Sequence, residues 1–164
     1  MLVADALRAR DVVEMFEGPI VDVGSGGGSP GIPLASVLPD REVTLLEAER
    51  RKCVFLEEWA LPNARVVWGR AEEQPVDAYG VALAKALAQP ATAVEWCLPL
   101  VRPGGAVVLW LGPSADLEAV GRVAEQVGGG EPEANDGMVV IRKLTATPAG
   151  FPRRVGVAKK RPLA

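Results

Sequence analysis

A run of glycines that follows a short apolar segment constrains this sequence more than any other feature. Ile20 to Val23 is β-branched apart from one aspartate, which predicts a buried strand. Four glycines follow within residues 24–28, and Pro30 suits the first turn of a helix. Glycine permits positive φ angles and close approach of a ligand, and the free N–H groups at a helix start favour electronegative ligand groups. The stretch therefore predicts a strand, a nucleotide-type pocket and a helix, in that order.

The spacing of these glycines separates two classes of nucleotide site. Dinucleotide folds use G-x-G-x-x-G or G-x-G-x-x-A at the helix start, whereas that third position here holds Ser29. The pattern fits G-x-G-x-G better, through Gly24, Gly26 and Gly28. With Asp22 two residues ahead, it resembles motif I of S-adenosylmethionine (AdoMet) methyltransferases. The alternative is a loop that only makes a tight turn from strand to helix.

Two further strands are expected to end beside this loop. The second, Glu42 to Leu46, is followed by Glu47, whose carboxylate can accept two hydrogen bonds from a ribose diol. The third, Ala64 to Trp68, leads into a polar turn that contains Ala71 and Glu72. Because parallel strands of a β-α-β-α-β unit end at one edge of the sheet, these two residues can reach the base of a bound nucleotide.

Strands and helices alternate along the rest of the chain. This alternation predicts an α/β fold of about six or seven strands, mostly parallel, with helices on both faces. A helix is expected over Leu2 to Phe16, and an amphipathic helix over Ala48 to Ala60. The inward candidates in the second of these helices are Cys53, Phe55, Leu56 and Trp59.

Composition limits the chemistry and the compartment. The 164 residues are 49% hydrophobic, which suits one compact domain with a full core. The sequence has no histidine, and Cys53 and Cys97 are isolated, so we expect no metal site and no histidine-dependent triad. Neither a secretory signal nor a membrane-spanning run is visible, which predicts a soluble, cytoplasmic protein. We also expect a monomer.

Charge is distributed unevenly along the chain. Residues 1–150 are expected to form the domain, and residues 151–164 a basic tail without acidic residues. Residues 1–150 contain the other 13 basic residues and all 21 acidic residues, so this part of the chain is acidic. The basic residues of the tail are Arg153, Arg154, Lys159, Lys160 and Arg161. A basic tail on an acidic body suggests a polyanionic partner that is contacted locally. The alternative is a solvated end that aids solubility.

Several local signatures, in the same order along the chain, resemble those of the RsmG family, also called GidB. The signatures are D-V-G-S-G-G-G-S-P-G-I-P-L-A from Asp22, L-L-E-A-E-R-R-K-C-V-F-L from Leu45, G-R-A-E-E from Gly69, A-K-A-L-A from Ala84, L-P-L-V-R-P-G-G from Leu98 and P-R-R-V-G-V-A-K-K-R-P-L from Pro152. The resemblance covers nearly the whole chain. It implies a three-layer, Rossmann-like class I methyltransferase fold. It also implies AdoMet-dependent methylation of guanine N7 in 16S ribosomal RNA of the small subunit.

The resemblance also implies roles for individual residues. The implied AdoMet contacts are Gly24 and Ser29 at the methionine part, Glu47, Ala48 and Glu49 at the ribose, and Ala71 and Glu72 at the adenine. Lys85 would lie beside both the cofactor and the substrate, and it is the candidate catalytic residue. The basic tail would then bind the RNA backbone. Since guanine N7 carries no proton, the displacement needs no general base, and S-adenosyl-L-homocysteine leaves. Catalysis would consist mainly of holding the reacting atoms in line.

The sequence departs from the family pattern at several places. Ser29 stands where the family commonly has a large apolar residue, and Trp110-Leu111-Gly112 replaces a family L-K-G and so lacks its lysine. Lys85 stands where the family has an arginine, which keeps the charge but not the bidentate fork. The chain also begins nearer the glycine loop than is usual in the family, as though the usual N-terminal region were absent. Two alternatives to the enzyme therefore stay open: a catalytically silent module that binds AdoMet or RNA, and a methyltransferase or nicotinamide enzyme that acts on a small molecule.

Overall fold

The computed structural model describes residues 2–164. The helices are α1 (Leu2–Leu7), α2 (Arg10–Glu14), α3 (Gly31–Val37), α4 (Arg50–Trp59), α5 (Pro90–Cys97), α6 (Leu117–Gln126) and α7 (Val157–Lys160). The strands are β1 (Ile20–Val23), β2 (Val43–Glu47), β3 (Ala64–Trp68), β4 (Tyr79–Lys85), β5 (Val101–Trp110), β6 (Glu133–Asn135) and β7 (Met138–Arg142). Short 3₁₀ turns occupy Ala71–Glu73 and Leu98–Leu100.

The strands of residues 2–164 form one seven-stranded sheet in the order β3-β2-β1-β4-β5-β7-β6. The first five strands are parallel, whereas β7 runs antiparallel to β5 and pairs with β6 as a hairpin. The predicted mostly parallel α/β sheet is therefore confirmed. The strand order reverses between β1 and β4, and ligands of open α/β sheets bind outside the carboxyl ends of the strands at such a switch point.

Helices cover both faces of the sheet and bury two apolar layers. One layer joins α2, α3 and α4 to the sheet through residues such as Val13, Leu34 and Leu56. The other joins α5 and α6 to the opposite face through residues such as Val94 and Val123. β1 is buried along its whole length because both layers pack against it. The loops at the carboxyl ends of β1, β2 and β4 are thus held by a rigid core.

Two local expectations from the sequence are wrong. The N-terminal helix is interrupted at Arg8 and Ala9, where Arg8 turns outward and its Nε donates to Asp136 Oδ2 at 3.0 Å in the β6–β7 hairpin. In α4, Phe55 and Trp59 are exposed, at 45% and 61%, because only the stripe of Cys53 and Leu56 faces the sheet. The two aromatic rings lie against each other instead, with their centroids 6.2 Å apart.

The last fourteen residues, 151–164, which we call the C-terminal segment, lie along α5. Ala158 is buried at 1% exposure, and Phe151 and Leu163 pack on the apolar layer beneath α5. The segment is therefore docked on the sheet domain by its own apolar residues. No helix within residues 2–164 combines the length and the apolar character that crossing a membrane requires.

Candidate cofactor and substrate site

The glycine loop leaves β1 through a series of left-handed backbone conformations. Gly24, Gly26 and Gly28 have φ angles of 71°, 53° and 95°, which residues other than glycine rarely adopt. The N–H of Gly24 donates to Leu46 O at 2.8 Å, so the loop begins fastened to the end of β2. Glycine is therefore required here by the backbone path itself, as the sequence pattern predicted.

Asp22 lies beneath the loop, where it braces the start of α3. Its side chain is buried, and Oδ2 accepts a hydrogen bond of 2.9 Å from the N–H of Gly31. A Cβ on Gly31 would lie 2.7 Å from that oxygen, so the close approach needs glycine. Burial raises the pKa of Asp22 to about 7, because the hydrogen bonds only partly replace the lost hydration. Asp22 therefore shapes the loop from below.

Glu47 ends β2 and ties two backbone groups to one carboxylate. Its Oε2 accepts from the N–H of Gly26 and its Oε1 accepts from the N–H of Glu49, both at 2.8 Å. The residue is only 6% exposed. A carboxylate offers about four lone-pair positions, so each oxygen keeps one for a further donor. Glu47 is thus fixed in place and still able to accept hydrogen bonds from a diol.

A cavity of about 110 Å³ opens between the glycine loop, the end of β2 and the turn after β3. Its walls are Val23, Gly24, Leu46, Glu47, Ala48, Gly69, Arg70, Ala71, Glu72, Leu87 and Trp96. Five of the residues predicted to bind the cofactor are in this set: Gly24, Glu47, Ala48, Ala71 and Glu72. Leu87 and Trp96 also line the cavity, although the sequence pattern did not predict them there. Leu87 belongs to the A-K-A-L-A signature after β4, which was the available signal, whereas nothing local marked Trp96.

The other predicted cofactor residues lie around this cavity rather than in its wall. Asp22, Gly26 and Gly28 shape the loop. Ser29 carries a buried Oγ that has no hydrogen-bond partner within residues 2–164. Glu49 contributes its backbone N–H to Glu47, and its exposed carboxylate pairs with Lys52 at 3.3 Å.

Lys85 ends β4, and its ammonium group faces the N-terminal helices. It forms an ion pair with Asp5 in α1. Lys85 lines neither the small cavity nor the larger cleft beside it. The next residue, Ala86, has a φ of 52°, a strained conformation for alanine that turns the chain toward Leu87. The structure therefore separates Lys85 from the cavity while placing Leu87 against it.

A larger cleft of about 760 Å³ adjoins the small cavity and shares Leu87 and Trp96 with it. The cleft lies between the β4–α5 loop, the β5–α6 loop and the C-terminal segment. Its walls are Leu87, Ala88, Gln89, Pro90, Ala91, Thr92, Trp96, Gly112, Ser114, Ala115, Asp116, Ala119, Lys159, Pro162 and Ala164. The small cavity, with the carboxylate of Glu47 in its wall, therefore opens beside a wider and mainly apolar cleft.

The five basic residues of the C-terminal segment differ in their surroundings. Arg153 turns inward, where its Nε and Nη2 donate to the two carboxylate oxygens of Glu95 in α5 at 2.5 and 2.6 Å. This fork raises the pKa of Arg153, chiefly through the hydrogen bond to Glu95. The other four side chains are exposed and form no ion pair inside the described chain: Arg154, Lys159, Lys160 and Arg161. The segment also reaches the small cavity, since the N–H of Gly156 donates to Glu72 Oε1 at 3.3 Å.

These features fit AdoMet at the small cavity. The backbone of the glycine loop can pass close to a ligand, and Glu47 keeps free lone pairs for a ribose. Two buried polar atoms without partners in residues 2–164, Ser29 Oγ and Trp96 Nε1, lie in the loop and in the cavity wall respectively. Buried polar groups are normally hydrogen-bonded, so both atoms suit a polar ligand. The described residues contain no cluster of three potential metal ligands.

Comparison with known proteins places the chain among methyltransferases. The family model described as "GidB: rRNA small subunit methyltransferase G" matches residues 1–130. A curated protein from Pelotomaculum thermopropionicum, named ribosomal RNA small subunit methyltransferase G, is 38% identical over 181 aligned residues, which cover 97% of this chain and 76% of the relative. A protein of the same name from Roseiflexus castenholzii is 39% identical, covering 88% of this chain and 70% of the relative.

A solved structure supports the fold assignment. Human N-acetylserotonin methyltransferase in complex with SAM superposes on this chain with a TM-score of 0.68 and 12% sequence identity. The match covers 86% of this chain and 51% of the human one, so this chain spans about half of that longer protein. At this level of identity the likeness shows a shared fold, which is the expected Rossmann-like methyltransferase sheet.

Proposed function

The chain belongs to the GidB family, that of rRNA small subunit methyltransferase G, and from this premise we propose that it transfers a methyl group from AdoMet to N7 of a guanine in 16S ribosomal RNA. The observation that carries the proposal is the carboxylate of Glu47, fixed by two backbone N–H groups inside the cavity beside the glycine loop. A nucleoside diol is the ligand group that best fits this acceptor.

The cavity and the glycine loop around it would together hold AdoMet. Glu47 would accept hydrogen bonds from the ribose, Ala71 and Glu72 would lie at the adenine, and Gly24 and Ser29 would lie at the methionine end. Ala71 lines the cavity with a small side chain, which leaves room for a flat base beside it. The orphaned Oγ of Ser29 would gain a partner in the amino-acid group. When bound, AdoMet supplies a methyl group on a positively charged sulfur.

The residues of this chain would act by positioning and by excluding water. Guanine N7 has a lone pair and no proton, so the residues need only hold it in line with the methyl group. Leu87 and Trp96 line both cavities and would close the reaction centre on one side. The absence of histidine from the chain is consistent with this chemistry. S-adenosyl-L-homocysteine is the second product.

The exposed basic residues of the C-terminal segment would bind the RNA backbone. Arg154, Lys159, Lys160 and Arg161 leave their charges in solvent, where phosphate oxygens can reach them. Each phosphate that a basic residue neutralises releases counterions, so RNA binding should weaken as salt rises. Arg153 is excluded from this set because its guanidinium group is already occupied by Glu95.

Transfer of a radiolabelled methyl group tests the proposal. Labelled AdoMet is offered with unmodified 16S ribosomal RNA, both naked and assembled in the small subunit. We expect label in the RNA from the wild-type protein, its loss in Glu47→Ala, and its retention in Glu58→Ala, which removes an equal charge from the exposed side of α4. AdoMet binding without transfer to either substrate would contradict the proposal and favour the silent module.

A further inference from the structure

We propose that the cleft between the β4–α5 loop, the β5–α6 loop and the C-terminal segment receives the target guanosine nucleotide, with Lys159 at its phosphate. This inference rests on the proposed function and assigns the substrate to a place in the molecule. The starting observation is that the cleft and the cofactor cavity share Leu87 and Trp96. A methyl donor and its acceptor must touch, so the acceptor belongs in the space that adjoins the donor's pocket.

The size of the cleft suits a nucleotide that has left its base stack. Its volume of about 760 Å³ lies within the roughly 300–1,000 Å³ that is usual for small-molecule pockets. The cavity beside Glu47 is smaller, at about 110 Å³. Enzymes that modify a base take it out of the stack into a fitted pocket. The cleft is the larger of the two spaces that meet at Leu87.

The walls of the cleft suit a purine base. Pro90, Ala91 and Pro162 give apolar surfaces, and Trp96 adds an aromatic ring. Flipped bases are held by stacking between apolar and aromatic side chains and by hydrogen bonds to their polar edge. The exposed amide of Gln89 both donates and accepts hydrogen bonds, which a guanine edge requires.

The charges in the cleft favour a phosphate at one particular side. Lys159 is the basic residue in its wall, and it forms no ion pair inside residues 2–164. The acidic residue in the wall, Asp116, is engaged as the cap of α6, where its Oδ1 accepts from the N–H of Ala119 at 2.9 Å. The ammonium group of Lys159 is therefore free for a phosphate, whereas one oxygen of the Asp116 carboxylate already accepts a hydrogen bond.

Arg153 is the positioning residue that fixes this wall. Its fork on Glu95 fastens the C-terminal segment to α5, and its Nη2 also donates to Arg161 O at 2.9 Å. Lys159 lies between these two anchored points along the chain. The segment thus presents Lys159 from a fixed backbone instead of a mobile tail, and so carries a wall of the cleft.

Filling the cleft tests the proposal without requiring catalysis. The probe is a single-stranded RNA oligonucleotide with one guanine, and its Kd is measured by fluorescence anisotropy with S-adenosyl-L-homocysteine present. Ser114→Trp places a large side chain in the cleft from an exposed loop position. We expect RNA binding to weaken by about tenfold or more, while AdoMet binding changes less than about twofold. The matched control, Ser36→Trp, lies on α3 at the opposite face and should change neither Kd.

A second pair of variants tests the phosphate contact. Lys159→Ala should weaken RNA binding by about tenfold, because a charge-assisted hydrogen bond is lost. Lys160→Ala removes the same charge beside it, outside the cleft wall, and should cost about twofold. Arg153→Lys keeps the charge but loses the fork, and it should weaken RNA binding as much as Lys159→Ala does. In a protein that already carries Glu95→Gln, adding Arg153→Lys should weaken RNA binding no further than Glu95→Gln alone does.

The outcomes separate this inference from the proposed function. Unchanged RNA binding in Ser114→Trp would overturn the cleft assignment, even if the wild-type protein methylates RNA. Equal losses in Lys159→Ala and Lys160→Ala would overturn the phosphate contact. Loss of binding in Ser114→Trp and not in Ser36→Trp would support the cleft even if methyl transfer failed, because no methyl transfer enters the measurement.

Discussion

The glycine loop and the C-terminal segment meet at one edge of the sheet, yet they are built in opposite ways. In the loop, backbone N–H groups and two buried carboxylates satisfy one another, as Glu47 does for Gly26 and Asp22 does for Gly31. In the C-terminal segment one arginine, Arg153, turns inward and the remaining charges face solvent. The proposed cofactor site is therefore a backbone structure with a few buried partners, whereas the proposed RNA site is a set of side chains on a segment that Arg153 anchors.

Removing Glu47 should have the largest effect, because it acts on both the loop and the ligand. Glu47→Ala leaves the N–H groups of Gly26 and Glu49 without their acceptor and removes the ribose contact. Charge-assisted hydrogen bonds contribute about 1.5–3 kcal/mol each. We expect AdoMet affinity, measured by calorimetry, to fall about a hundredfold or more. Glu49→Ala keeps its N–H and should lose less than about threefold; equal losses would mean that the Glu49 carboxylate binds the ligand itself.

Breaking the ion pair between Arg153 and Glu95, which anchors the C-terminal segment, should lower the stability of the protein. Arg153→Gln leaves Glu95 buried without its fork, and we expect about 3 kcal/mol of lost unfolding free energy, measured in urea. The double variant Arg153→Gln with Glu95→Gln should recover most of that loss, because no unpaired charge remains buried. Arg154→Gln is the exposed control and should change stability by less than about 0.5 kcal/mol. If Arg153→Gln were as stable as Arg154→Gln, the ion pair between Arg153 and Glu95 would not contribute to stability.

The buried carboxylate beneath the loop predicts a pH dependence. Asp22 has a pKa of about 7 in the folded protein, above the value of 3.8 expected for an unperturbed aspartate. The unfolded chain therefore releases this proton at lower pH than the folded chain. The stability that Asp22 contributes is complete below the lower value and is lost as pH rises toward 7. We expect the wild type to lose about 2 kcal/mol relative to Asp22→Asn between pH 5 and 8.

Thermal unfolding at several pH values checks this difference without ligand. The asparagine keeps an oxygen that can accept from the N–H of Gly31, so the hydrogen bond to α3 survives in the control. A wild type that gains stability over Asp22→Asn as pH rises would contradict the account, since it would mean that the ionised carboxylate is the favoured form in the folded protein.

Two glycines of the loop should respond differently to an added methyl group. Gly24 has a φ of 71°, and a Cβ there would lie 2.5 Å from Leu87 Cδ1. Gly27 has no atom within 4 Å of its would-be Cβ. We expect Gly24→Ala to lower the unfolding free energy by about 1 kcal/mol and Gly27→Ala to leave it within about 0.5 kcal/mol. Equal losses, measured in urea, would mean that loop conformation does not select glycine at these positions.

The sequence brought five of the residues that line the small cavity together, because their signals are local. Gly24 and Glu47 follow directly after predicted strands, Ala71 and Glu72 lie in the turn after a third, and parallel strands bring such positions to one edge. The bounds of β1 and β3 agree with the sequence prediction for the same reason, since both apolar runs end at a glycine. The hydrophobic pattern wrongly predicted that Phe55 points inward. Its exposure depends on packing, because Phe55 is apolar but lies off the buried stripe of α4.

The walls of the proposed substrate cleft could not be predicted, because their contacts join distant parts of the chain. Arg153 and Glu95 are 58 positions apart, and no periodic pattern indicates that an acid within an apolar helix needs an arginine from the C-terminal segment. Lys85 pairs with Asp5 across 80 positions in the same way. Charge counting indicated a basic tail, but only the fold separates the anchoring Arg153 from the cleft residue Lys159.

The identity of the methylated nucleoside tests the central claim most directly. Unmodified small subunits are incubated with the protein and with AdoMet that carries a deuterated methyl group, and the 16S ribosomal RNA is then digested and analysed by mass spectrometry. The account predicts deuterated 7-methylguanosine from one site, absent with Glu47→Ala. A deuterated methyl group on any other nucleoside, or none on the RNA while AdoMet binds, would contradict it.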